Sequence, residues 1–340
     1  MQQLKVSFYL LGDRRKASSR VRGFWIAEEL RKFGMKCSII DGEERVSFLR
    51  CLIKLPWCDT LFIQKRYSRW DFYIMQVARF LGKRTVFDMD DAYSSVKSPT
   101  TLFNIQRIMK KASAVTVGSR NLLEFAKQYQ VNSIFLPTSI KLENYDLPAV
   151  QSQKGKACLG WIGNGAHYYK DLIKILKEPL TEIASRHKIR LKLVGACGQK
   201  ELYQEFSNIP GLDTIFIDEI DWADPSEVSA AMLDFDIGLY PVQATDFNSY
   251  KCGFKALEYM AMGIPVVASP VGANAYVVEH GKDGYHADGI DAWIDALTVL
   301  ISDNAMRKEM GQAGRHKVET HYNIRESARK LTEIIFNLKN

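Results

Sequence analysis

The stretch Ser249–Gly272, SYKCGFKALEYMAMGIPVVASPVG, constrains the fold more than any other part of this 340-residue chain. Gly253 opens a helical pattern in which Phe254, Leu257 and Met260/Ala261 recur at helical spacing, and Gly263-Ile264-Pro265 ends it just before a buried Val-Val-Ala strand. A loop, a helix, a tight turn and a strand in that order belong at one end of a parallel sheet. The helix start presents backbone N–H groups with the positive end of the helix dipole behind them, which suits a phosphate or carboxylate. Lys251 and Lys255 add positive charge beside it. Glu258, one turn further on, can accept two hydrogen bonds from a vicinal diol such as a ribose. A phosphate site next to a diol site implies a nucleotide.

Alternating strand and helix patterns occur in two series. In the first, strands are expected at Lys5–Leu11, Met35–Ile40, Thr60–Gln64, Arg84–Asp88, Ala114–Gly118 and Ser133–Leu136, with helices at Ser19–Phe33, Trp70–Leu81, Thr101–Lys111 and Ser119–Tyr129. The second has strands at Ala157–Ile162, Arg190–Gly195, Asp213–Ile217 and Ile237–Tyr240 and helices at Tyr168–Ser185 and Pro225–Leu233, followed by the Ser249–Gly272 unit. The fold class is therefore α/β, two Rossmann-like doubly wound parallel-sheet domains. The expected boundaries are residues 1–147, a polar linker at 148–156, a second domain at 157–322, and a terminal helix at 323–340 after a break at His321-Tyr322-Asn323.

Leu257-Glu258-Tyr259-Met260-Ala261-Met262-Gly263-Ile264-Pro265-Val266-Val267-Ala268 resembles the LEAMAxGxPVVA signature of glycosyltransferases of family 4. These are two-domain GT-B enzymes that take sugar from nucleotide-sugar donors, with two Rossmann-like domains facing a cleft. The signature usually completes a Glu-x7-Glu motif, whose first position here is Tyr250. Only Glu258 carries over, as the carboxylate that binds the donor ribose; the missing one would contact the donor sugar. The resemblance implies retention of anomeric configuration, no metal ion and no cofactor beyond the donor itself. The leaving diphosphate would be stabilised by Lys251, the catalytic cation, by Lys255, and by the amides of Gly253 and Phe254. The terminal helix would cross back onto the first domain.

Other positions take roles through the same resemblance. Gly163, Asn164 and Gly165 form a small-residue loop before a helix carrying Lys170, where a basic residue usually meets the diphosphate; a plain strand-to-helix turn with a solvated lysine reads equally well. Ile220 falls where a loop lines the nucleobase. In the first half, the Gly12–Arg22 loop carries five basic residues into a helix capped by Ser18 or Ser19, so Ser19 and Arg20 are expected on the phosphate or acceptor side. The run Phe87-Asp88-Met89-Asp90-Asp91 imitates an Asp-x-Asp metal motif, but it ends a strand of the acceptor-side half. Asp88 and Asp91 then read as acceptor-binding groups and Asp90 as a catalytic aid to deprotonation of the acceptor hydroxyl, with turn capping by Asp90 or Asp91 as the plainer reading.

Residues 1–150 hold 25 Lys and Arg against 14 Asp and Glu, a net of +11. This excess favours an anionic partner: a glycan, lipid-linked or small-molecule acceptor, or an anionic membrane surface. The segment Glu43–Trp57 interleaves Val46, Phe48, Leu49, Leu52, Ile53, Leu55 and Trp57 with Arg45, Arg50 and Lys54, which fits either a membrane-interface helix or one covering the sheet. No run is long enough to span a bilayer and the N-terminus has no signal-peptide layout, so the expected location is the cytoplasm, peripheral on the inner face of the membrane. The six scattered cysteines read as reduced thiols, and His316 with His321 as ordinary surface residues. No G-x-G-x-x-G follows the first strand, which disfavours a nicotinamide-dependent dehydrogenase. Two alternatives keep the fold or the charge: a nucleotide-sugar epimerase or phosphorylase, and a polyanion-binding protein using Gln64–Trp70. Nucleic acid is not the expected partner, because the donor pocket would then be idle.

Overall fold

The computed structural model describes residues 3–42, 44–91, 98–146 and 156–338. The chain forms two compact units, one of Met1–Lys141, Ser249–Cys252 and Tyr322–Asn340, the other of Leu142–Asn248 and Gly253–His321. Residues 148–155 of the expected linker lie outside the described residues, while Lys156 is ion-paired to Asp213 at 2.8 Å.

The first unit has strands β1 (Lys5–Leu10), β2 (Lys36–Ile40), β3 (Thr60–Gln64), β4 (Arg84–Met89), β5 (Ala114–Val117) and β6 (Ser133–Phe135). All pair in parallel, in the order β2-β1-β3-β4-β5-β6. Every residue of β3 is buried, as expected where helices cover both faces of a parallel sheet. The helices Glu44–Lys54, Arg69–Phe80 and Pro99–Lys111 contribute Cys51, Phe72, Met75, Ile105 and Ile108 to one continuous core with Ile63, Phe87 and Val115 of the strands. The terminal helix Ile324–Asn337 belongs to this unit, and its Ser327 hydroxyl lies 2.6 Å from that of Ser139.

The second unit also has six strands, β7 (Ala157–Ile162), β8 (Ile189–Val194), β9 (Leu212–Ile217), β10 (Ile237–Tyr240), β11 (Val266–Ala268) and β12 (Gly284–His286). These are also parallel, ordered β12-β11-β10-β7-β8-β9. Two glycines bring the helix Asn304–His321 onto the helix Phe254–Ala261: a Cβ on Gly311 would lie 1.9 Å from the Gly263 carbonyl oxygen, and one on Gly314 would lie 3.0 Å from Met260.

Several local expectations are corrected. The helix after β1 begins at Ala17, passes through a wider π turn at Arg20–Phe24 and continues as Trp25–Lys32, so neither Ser18 nor Ser19 caps it. Ser19 lies inside the helix, where its hydroxyl accepts from the Gly12 amide at 3.1 Å and donates to Gln64 at 3.2 Å. The edge strand β12 and the helices Lys200–Ser207, Ile290–Ser302 and Asn304–His321 were not expected as elements. Three residues are too few to show a strand period. The acceptor-side role drawn for Asp88 also fails, because its carboxylate is wholly buried and committed to Arg22 and Thr116.

Candidate functional site

In the second unit, the helix Phe254–Ala261 starts from Gly253 at φ +70°, ψ +20°, a left-handed turn that an L side chain enters only at a cost. A Cβ there would also press on Ala273, Asn274 and Val277 at 3.3–3.4 Å. The turn aims the first helical amides, those of Phe254 and Lys255, out of the helix start, where they have no intrahelical acceptor. At the opposite end, Arg315 donates to the Ala261 carbonyl at 2.5 Å, a cation set against the negative end of the dipole.

Lys255 is held by rings. Its ammonium lies 4.0 Å from the Tyr168 ring centre, 5.3 Å from that of Tyr240 and 5.9 Å from that of Trp161. Aromatic faces hold the cation in place without neutralising its charge. Gly163 makes room for the stem, since a Cβ there would lie 2.6 Å from Lys255 Cε. Beside it, a Cβ on Gly195 (φ +81°) would lie 1.9 Å from the Gly163 carbonyl oxygen, so the loops after β7 and β8 pack backbone to backbone. Asn164 caps the helix Gly165–Arg186 by accepting from the His167 amide at 3.2 Å, which commits one side of its amide group to structure. Lys170 is exposed on that helix with its ammonium 5.7 Å from the Tyr169 ring centre, and Ile220 is half-buried beyond β9.

Glu258, on the helix Phe254–Ala261, is buried and accepts a hydrogen bond from the Tyr145 hydroxyl at 2.9 Å. Sequence reasoning missed Tyr145 and the ring cage. Trp161, Tyr168 and Tyr240 come from the ends of two strands and the start of one helix, and only the β10–β7 pairing brings them together.

The first unit concentrates charge after β3 and β4. Asp88 grips the Arg22 guanidinium in two hydrogen bonds of 2.6 and 2.8 Å and accepts a third from Thr116 at 2.7 Å. Burial alone would lower the Arg22 pKa, but the Asp88 carboxylate outweighs it and holds the guanidinium firmly charged. Lys65 sits at φ +53° and places its ammonium 3.1 Å from Asp90 and 2.5 Å from Asp91. Burial pushes the Asp90 carboxyl above its usual range, against the pull of Lys65 and with help from Asp91. Arg20 is buried, and its guanidinium donates to the carbonyls of Arg14 and Arg15, shaping the loop after β1 from within.

The segment Ser249–Cys252, which immediately precedes Gly253, packs within this unit. Ser119 donates to the Tyr250 carbonyl at 2.9 Å, Asn121 to that of Ser249 at 2.7 Å, and the Cys252 thiol to that of Asp90 at 2.8 Å. Tyr250 itself lies edge-on to Phe125 with ring centres 6.3 Å apart, so the residue at the first motif position is a packing aromatic. Lys251, between them, is half-buried. Among the described residues no group of three or more His, Cys, Asp or Glu is arranged to hold a metal ion.

Residues 156–303 match the family of glycosyl transferases group 1, and this segment contains Gly163, Gly253, Lys255 and Glu258. Among curated proteins, a D-inositol 3-phosphate glycosyltransferase of Corynebacterium efficiens is 31% identical over 148 residues, covering 41% of this chain and 34% of that protein. A GDP-mannose-dependent alpha-(1-6)-phosphatidylinositol monomannoside mannosyltransferase of Mycobacterium tuberculosis is 34% identical over 85 residues, 24% of this chain and 22% of that one. The matched stretches thus span about a third of such relatives or less. Solved structures align over the whole chain: HepE of Anabaena in complex with UDP and glucose (TM-score 0.75, 14% identity, 99% of this chain and 100% of that one) and a glycosyltransferase of Rickettsia africae (0.76, 13%, 99% of each). The chain therefore has the GT-B fold, and its second unit carries a group 1 glycosyl transferase segment.

Proposed function

We propose that this chain is a glycosyltransferase that moves a hexose-type unit from a nucleoside diphosphate sugar to an acceptor hydroxyl, retaining anomeric configuration and needing no metal ion. The observation that carries this reading is the left-handed Gly253 turn feeding a helix that bears Lys255 and Glu258, inside the family-matching segment. In the reaction the bond from the sugar C1 to the diphosphate oxygen breaks, a bond from C1 to the acceptor oxygen forms, and the acceptor loses its proton. The amides of Phe254 and Lys255 and the Lys255 ammonium meet the charge that grows on the departing diphosphate, where fixed donors act on the transition state. Lys251, two residues before Gly253 in the chain, adds to that charge. Glu258, oriented by Tyr145, takes the ribose hydroxyls.

On the acceptor side, Asp90 assists removal of the hydroxyl proton, and its raised pKa suits that task. A UDP- or GDP-linked hexose is the donor class to try first, since HepE was crystallised with UDP and the mycobacterial relative is GDP-mannose-dependent. The cytoplasm supplies such donors, and no helix of the described residues is long and apolar enough to cross a membrane. The test is a thermal-shift screen against UDP-, GDP-, ADP- and CMP-sugars, in which a ligand of the native state raises Tm by mass action. One donor should stabilise the parent and not Glu258→Ala, and transfer from it should survive chelation of divalent ions. Indifference to every nucleotide sugar, with RNA affinity falling steeply in salt, would replace the enzyme by a polyanion-binding protein.

A further inference from the structure

Two neighbouring helices of the first unit turn apolar side chains to solvent. On Glu44–Lys54, Ser47 and Cys51 are buried, while Val46, Leu49 (59% exposed) and Ile53 (77% exposed) form a stripe at i, i+3 and i+7 on the opposite side. Arg45 borders that stripe on one flank and Arg50 and Lys54 on the other, as a helix of 3.6 residues per turn requires. On Arg69–Phe80, Trp70, Tyr73, Val77 and Phe80 (89% exposed) repeat the pattern, with Leu81 just beyond. The two helices touch through the rings of half-buried Phe48 and exposed Trp70, 5.6 Å apart, and Trp70 continues to Tyr73 at 6.1 Å.

Isolated exposed apolar residues are ordinary, but two such stripes on adjacent helices mark an interaction surface. The charge around it selects the partner. Residues 45–54 and 69–83 contain Arg45, Arg50, Lys54, Arg69, Arg79 and Lys83, and their one acid, Asp71, is buried against Arg66 at 2.9 Å. Arg50 lies 3.9 Å from Asp41. A solvent face that is apolar along its centre, basic at its borders and supplied with exposed Trp and Tyr matches the interface of an anionic bilayer, where rings sit at headgroup depth and cations meet lipid phosphates.

We infer that the outer face of the helices Glu44–Lys54 and Arg69–Phe80 docks this chain on an anionic lipid surface. The surface lies wholly in the first unit and works without any nucleotide sugar, so its failure and that of the proposed transferase activity are separable. The test is flotation of the full chain with vesicles of equal parts phosphatidylcholine and phosphatidylglycerol, against phosphatidylcholine alone. The parent should partition onto the mixed vesicles only, and less so in high salt. The variants Leu49→Ser/Ile53→Ser/Phe80→Ser and Arg45→Gln/Arg50→Gln/Lys54→Gln should each lower partitioning about tenfold or more while keeping the parent's circular dichroism and Tm. Trp70→Phe should remove most of the blue shift in tryptophan emission on vesicle binding. The inference is overturned if the parent does not float, or if both triple variants float as well as the parent. It is equally overturned if the parent sediments as a dimer that the apolar variant dissolves, because the face would then belong to a second copy of the chain.

Discussion

Both units are built on a six-stranded parallel sheet, but they handle charge at the C-terminal ends of their strands in opposite ways. In the first unit, Arg22 is locked to Asp88, Lys65 faces Asp90 and Asp91, and Arg66 is paired with Asp71. In the second, the cation beside the helix start, Lys255, is steadied by Tyr168, Tyr240 and Trp161, and no carboxylate pairs with it among the described residues. One edge has consumed its charges in making structure. The other keeps positive potential and main-chain donors available for a ligand. A basic residue therefore means different things in the two units, and net charge is a poor guide to where an anion binds.

The largest effect that sharpens this contrast is expected at Arg22. Arg22→Met leaves the Asp88 carboxylate buried without its partner, so stability should fall by about 3–5 kcal/mol in denaturant unfolding, whereas Arg22→Met/Asp88→Leu should recover most of the loss. A loss below about 1 kcal/mol, within the usual worth of an exposed pair, would mean that the first edge is not consumed in structure after all. Next comes Glu258. Glu258→Ala should weaken nucleotide binding by about 1.5–3 kcal/mol and should also cost stability, because it strips the buried Tyr145 hydroxyl of its acceptor. Glu258→Gln should restore the stability and not the affinity, as measured by calorimetry. Unchanged nucleotide affinity in both variants would remove the ribose assignment.

A smaller effect separates backbone strain from site packing. Gly253→Ala and Gly34→Ala both place an L side chain at positive φ, +70° and +86°, at a cost of about 1–2 kcal/mol each. Gly34 has nothing within 4 Å of an added Cβ, whereas Gly253 meets three side chains. Gly253→Ala should therefore lose more stability than Gly34→Ala, and it alone should lose nucleotide affinity in the same calorimetric assay. Equal behaviour would mean that the turn at Gly253 matters only for folding.

Much of the fold was legible because buried parallel strands are short apolar runs between helical periods. Thr60–Gln64, Ala157–Ile162 and Ile237–Tyr240 were located to the residue. The helix start at Gly253 was equally legible, since a glycine before a helix and a Gly-Ile-Pro after it are local signals. What stayed hidden depends on long-range pairing: the rings around Lys255, the hydroxyl on Glu258, and the partners of Asp88. From the sequence, Asp88, Asp90 and Asp91 all read as groups facing an acceptor. Strand alternation and the approach of Arg22 and Lys65 instead set apart a structural carboxylate at Asp88 from one at Asp90 that faces Lys65.

That division gives the last and smallest prediction. Burial raises the Asp90 pKa in the folded chain, so over the window from the ordinary carboxylate range up to the raised value the native state holds more protons than the unfolded one. The Asp90 contribution to stability is then most favourable at low pH and falls as pH rises through that window. Asp90→Asn cannot ionise and keeps Asp91 as the partner of Lys65. It should raise Tm at neutral pH, with the gain shrinking as pH is lowered through the carboxylate range. If Asp90 also assists deprotonation of the acceptor, the same variant should lower turnover with little change in donor KM. Higher Tm with full turnover would keep Asp90 as a strained structural acid and leave proton removal to another group, and a lower Tm would show that its charge is compensated by Lys65, as it is for Asp88 by Arg22.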